Sequence, residues 1–134
     1  MQGNQREGRL PEEFRKRTKL YAANVIRLFV KLPKAHEEIR VVGKQLLRSG
    51  TSVAGQVREA SRARSSAEFI SKLSGATQEA DESLLWLELL REECGISASL
   101  TQSLEGESSE LIAIMTTMVS RTEVKIRGFT RSPS

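Results

Sequence analysis

The residues best suited to chemistry in this chain are basic and regularly spaced. Arg40, Lys44 and Arg48 follow one another four apart; continued past Thr51 and Gly55, the row reaches Arg58 and Arg62, with Arg64 just beyond. Residues four apart share one face of a helix. These six would therefore make a ribbon of positive charge suited to successive phosphates of RNA or DNA. Lys16, Lys19, Arg27 and Lys31 form a secondary basic set nearer the N-terminus. No aromatic residue interrupts the stretch from Arg40 to Arg64, so base stacking is not indicated and recognition would run through charge and shape. The same spacing also describes arginines that pair with an acidic helix or simply solubilise the surface. On spacing alone that plainer explanation has the edge.

Other chemistry finds little support. The single histidine, His36, sits at a predicted helix junction beside Pro33 and Lys34, where a solvated loop residue is expected. The single cysteine, Cys94, follows Glu92 and Glu93; neighbouring carboxylates raise a thiol pKa and argue against a nucleophile. Di-metal bundles need two Glu-x-x-His pairs, which one histidine cannot supply, and no Cys/His cluster offers a zinc site. Glu79, Asp81, Glu82, Glu88, Glu92 and Glu93 read as an acidic surface facing solvent or a partner. Gly43-Lys44 lacks the remaining glycine and Ser/Thr of a phosphate loop. No enzyme, cofactor or metal is expected.

The elements that must position the basic row are helical. Pro11 suits a first helical turn, with Glu12 and Glu13 favouring the positive end of the dipole. Phe14, Tyr21, Val25, Leu28 and Leu32 recur at helical spacing, and Pro33 predicts an end near Leu32. A second helix is expected from 35–38 to about Ala60, with the small residues Ser49 to Gly55 either admitting a close neighbour or marking a kink. Ser65 and Glu68 form a capping box, opening a third helix that runs to about Cys94 before Gly95 stops it. In it Phe69, Leu73, Ala76, Ala80, Leu84 and Leu87 step by threes and fours, while Ile70, Trp86, Leu89 and Leu90 lie off that line and offer a second apolar surface. Ser97 or Ser99 caps a fourth helix carrying Leu100, Leu104, Leu111, Met115 and Met118, whose early SLEGESSE segment is expected to fray. The reading is all-α, an antiparallel up-down-up-down four-helix bundle over 11–124, with a disordered stretch at 1–10 and a basic flexible tail at 125–134.

At 134 residues the chain fits one domain. Its net charge of +4 is unevenly spread: residues 1–64 hold 15 Lys/Arg against 6 Asp/Glu, and residues 65–134 hold 6 against 11. The N-terminus lacks the apolar core of a signal peptide, and no run approaches the roughly 18 apolar residues that span a bilayer. With a lone cysteine, this gives a cytoplasmic address and no membrane partner.

QLLRSGTSVAGQVREA, SSAEFISKL and QEADESLLWLELL resemble the four-helix-bundle family encoded in intervening sequences of bacterial 23S ribosomal RNA genes, which is related to the accessory protein of diversity-generating retroelements. Gln45, Leu46, Arg48, Ser52, Val53, Glu59, Ala60, Phe69, Glu79, Glu82, Trp86 and Leu87 carry the match, over about residues 14–120. Where many members have a proline in the second helix, Ala54 and Gly55 stand here. The resemblance implies a ring-like homo-oligomer, a pentamer, without catalytic residues. For the retroelement relative it implies a basic surface that binds nucleic acid and a reverse transcriptase. Trp86, Leu89 and Leu90 would then pack between subunits, or within one chain as ordinary core.

Overall fold

The computed structural model describes residues 9–130. Four helices make up the fold: α1 (Glu12–Lys31), α2 (Glu37–Ser61), α3 (Ser66–Glu92) and α4 (Ala98–Thr130). No strand occurs among the described residues.

Local sequence sets the boundaries. Leu32 is extended as Pro33 requires. Lys34 Nζ donates to the carbonyls of Phe29 (3.3 Å) and Leu32 (3.2 Å), satisfying acceptors at the end of α1. Ser65 Oγ accepts the Glu68 N–H at 3.0 Å, while the Glu68 carboxylate accepts the N–H of Arg64 at 2.9 Å. This is a capping box whose return bond falls one residue earlier than in the usual pattern. Gly95 takes a φ of 74°, the left-handed turn that ends α3.

Antiparallel neighbours enclose the core. Close to α1, α2 carries glycine: a Cβ on Gly43 would lie 2.9 Å from Leu32 Cδ1, and one on Gly50 2.8 Å from Val25 Cγ2. The small residues of α2 therefore serve close approach, and the helix runs unbroken through them. Ser49 meets Ser83 at 2.7 Å and Glu59 meets Lys72 at 2.8 Å, so α2 and α3 run in opposite senses. Arg91 on Glu105 ties α3 to α4, and Arg17 on Glu107 with Tyr21 on Ser108 ties α1 to α4. Thus α1 lies diagonally across from α3, their backbones never in close approach. Leu46, Val53, Val57, Leu73, Leu87, Leu90, Leu111 and Met115 are buried at the centre.

A polar layer crosses that core. Tyr21, Ser49, Ser83 and Ser108, one from each helix, are all buried. Ser83 reaches the Glu79 carbonyl, Ser49 that of Leu46 and Ser108 that of Leu104, while the Ser49–Ser83 pair meets at 2.7 Å and Tyr21 donates to Ser108 at 2.6 Å. Every hydroxyl in the layer is thereby satisfied.

Three expectations change. The SLEGESSE segment does not fray: it is helical, and Thr101, Leu104 and Ser108 are buried. Its serines look weak as helix formers, but Ser108 is buried and bonds to the Leu104 carbonyl and to Tyr21, which holds the segment against the core. At the C-terminus α4 continues to Thr130, past the expected limit at 124, with the rest of the tail outside the described residues. At the other end Leu10 is buried and the Arg9 N–H donates to the Ser61 carbonyl at 3.2 Å, so the bundle begins before residue 11; residues 1–8 lie outside the described part.

Candidate nucleic-acid interface

The antiparallel pairing gathers charge at one end of the bundle. The start of α1 faces the end of α2 across a groove of about 380 Å³ lined by Lys16, Lys19, Ala54, Gly55 and Arg58, among others. Gly55 and Arg58 also line a second groove of about 530 Å³, with Arg62, Arg64 and Lys72 opposite Glu59 and Glu68. Nothing lies within 4 Å of where a Gly55 Cβ would stand, so the ridge between the grooves is open to solvent. Arg9 closes this end: its guanidinium donates to the Ala63 carbonyl at 3.0 Å and reaches Ser66 Oγ at 3.4 Å, fastening the connector that carries Arg62 and Arg64. The end of α4, with Arg121 and Lys125 exposed, runs beside the start of α3.

The six basic residues read as a ribbon therefore do not form one, and the secondary four are dispersed. Arg58, Arg62 and Arg64 are exposed and make no ion pair among the described residues. Lys19 is similarly exposed nearby, and Lys16 pairs loosely with Glu12 at 3.4 Å. Arg48, by contrast, is held across α3 by Glu82 at 2.9 Å and Glu79 at 3.5 Å. Arg40 is bound to Glu37 and donates to the Lys34 carbonyl at 2.6 Å. Lys44 stays exposed between these two paired arginines. Arg27 bonds Asn24 at 2.8 Å and, with Lys31, lines a separate α1–α4 groove. The row thus divides: Arg40 and Arg48 are engaged within the fold with Lys44 exposed between them, and the C-terminal half is presented. Arg9 and Lys72 were missed, because only the folded connector brings them beside Arg62 and Arg64; Lys72 itself shares its charge with Glu59.

The opposite end carries most of the acid but is mixed. Asp81, Glu82 and Glu92 are exposed on the second half of α3, with Glu93 just past it, and Glu105, Glu107 and Glu110 stand on the first half of α4, while Arg27, Lys31 and Lys44 are exposed at the same end. Some of this charge is consumed within the fold. Arg17 bridges Glu107 and Glu110, which hold its pKa well above the ordinary guanidinium value. Arg91 grips Glu105 with two bonds of 2.8 and 3.0 Å, and that contact, helped by Thr101, holds the Glu105 carboxyl below the usual carboxylate range.

Leu90, grouped with Trp86 and Leu89 as an intersubunit residue, is fully enclosed within a single chain and cannot reach a partner. The buried seam of α3 runs through Phe69, Leu73, Ala76, Ala80, Ser83 and Leu87 to Leu90, with Ser83 rather than Leu84 on the line, so Leu90 continues the core. Trp86 and Leu89 are half-buried; Trp86 packs on the core, and its indole N–H is enclosed without an acceptor among the described residues. His36 is exposed at the start of α2. The Cys94 thiol is pushed up by burial first and then by Glu38 and Glu93, which disfavours the thiolate. Among the described residues no three His, Cys, Asp or Glu side chains are placed to hold a metal ion, and no helix is long and apolar enough to cross a membrane.

Fold and surface together define a charge-polarised bundle of four helices. The family model for the 23S rRNA-intervening sequence protein matches residues 13–117, and the chain belongs to that family. A similar solved structure is a protein of unknown function from the S23 ribosomal protein family of Bacteroides thetaiotaomicron. It is 33% identical, with a TM-score of 0.72 over 79% of this chain and 94% of that one. Comparison with curated proteins finds no match.

Proposed function

We propose that this chain is a non-catalytic, cytoplasmic, homo-oligomeric bundle of up-down-up-down topology that binds RNA or DNA through its basic end. The observation that carries the reading is the pair of grooves meeting at Gly55 and Arg58, with Arg58, Arg62 and Arg64 exposed and unpaired by acid among the described residues. Guanidinium groups on an open surface suit phosphates, and with no aromatic lining the grooves the contact is to backbone, independent of sequence. Lys16 extends the site; Arg40 and Arg48 are structural. The test is fluorescence anisotropy with a labelled single-stranded RNA. Arg58→Glu, Arg62→Glu and Arg64→Glu together should weaken binding at least tenfold for every sequence tried, while Arg48→Gln should leave it within about twofold. Equal losses from both would refute this placement of the site.

A second reading has its own support. Among the described residues seven large apolar side chains stand exposed, including Leu20, Val30, Val41 and Leu85, as a protein-interaction scaffold would present them. A partner such as a reverse transcriptase would then copurify with the chain in the absence of nucleic acid.

A further inference from the structure

We propose that the outward faces of α1 and α3 are complementary, and that each joins one copy of this chain to the next. The inference rests on the assembled reading above and names the surfaces that would build the assembly. On α1 the outward positions are Lys19, Leu20, Ile26, Arg27 and Val30, with Leu20, Ile26 and Val30 exposed to 55, 46 and 69%. No acidic residue occurs between Phe14 and His36, so this face is wholly basic and apolar. On α3, Asp81, Glu82, Leu85 and Glu92 are exposed and Leu89 half-exposed along the outward side. The one base between Gln78 and Glu93 is Arg91, and it is turned onto Glu105 of α4; Glu82 is already met by Arg48 of α2, which leaves Asp81 and Glu92 as the carboxylates of this face that no other helix claims among the described residues. This second face is therefore acidic and apolar.

Each face has what the other lacks, and neither fits itself. Two α1 faces would set lysine and arginine against the same groups, and two α3 faces would set carboxylate against carboxylate. Because α1 and α3 lie diagonally across the bundle, the two faces point away from each other. One chain therefore cannot satisfy both, but a line of chains can. Such head-to-tail contact is heterologous and closes into a ring when the rotation allows. The exposed apolar side chains are the part that burial between copies would reward, and the flanking charges set which face meets which. The arginines at the end of α2 take no part and remain available.

Light scattering on size-separated protein tests this with charge reversals at exposed positions, helix content being followed by circular dichroism. The wild type should give a multiple of the 14.9 kDa chain mass. Lys19→Glu with Arg27→Glu should reduce it to single chains, and so should Asp81→Lys with Glu92→Lys. All four substitutions in one chain should restore the assembly, because the faces match again with their signs exchanged. A wild type that assembles while both reversed pairs keep the same mass overturns this pairing and leaves the assembled reading standing. A wild type found only as single chains overturns both.

Discussion

Gly50 and Gly55 lie five residues apart on α2, and residue type alone does not distinguish them. A Cβ on Gly50 would come within 2.8–3.1 Å of three side-chain atoms of Val25, whose branched group is fixed in the core and cannot swing aside. Gly50→Ala should therefore cost about 1–3 kcal/mol in denaturant unfolding despite alanine's better helix propensity. Gly55→Ala meets nothing and should stabilise by roughly 0.5–1 kcal/mol. Opposite signs for the two changes would bear out α1 packing on this side of α2; equal signs would not. Tyr21 gives a second residue-scale test. Burial raises its phenol above the ordinary value near 10, so the folded state favours the neutral form. The stability it contributes is present below about pH 10 and is lost as pH rises through the raised folded value. Absorbance titration should find the phenolate appearing later than in free tyrosine. Tyr21→Phe should cost about 0.5–1.5 kcal/mol, since Ser108 keeps its bond to the Leu104 carbonyl.

Between elements, the α3–α4 seam turns on Arg91 and Glu105. Because the Glu105 carboxyl is lowered below its ordinary value of 4.5, its contribution is full above that value and is lost as pH falls through the lowered one. Glu105→Gln should cost about 1–2 kcal/mol at neutral pH and make the acid limb of a stability profile shallower. Helix ends were legible in the sequence because their signals are local: Pro33, the Ser65–Glu68 pair and Gly95 each act within a turn or two. The partners of Arg40 and Arg48 were not equally legible. Arg40 turns back on its own helix start, whereas Arg48 is claimed by Glu79 and Glu82 only once α3 lies beside α2. The buried hydroxyls of Ser83 and Ser108 were missed for a related reason. Serine inside a long helix reads as surface until neighbouring helices bring Ser49 and Tyr21 to it.

At the scale of the whole molecule, the sequence displays charge as a basic first half and an acidic second half, and antiparallel folding recasts it. The end of α2 and its connector join the starts of α1 and α3 in one basic end, while the carboxylates of the second half of α3 and the start of α4 share the other with Arg27, Lys31 and Lys44. The basic end should hold a polyanion mainly by displacing its counterions. The most direct measurement is the affinity for single-stranded RNA as a function of salt. With four to five phosphates neutralised, the logarithm of the binding constant should fall against the logarithm of salt with a slope of about −3, a loss of roughly sixtyfold between 50 and 200 mM. Binding that is absent at low salt, or unchanged across that range, would contradict the account.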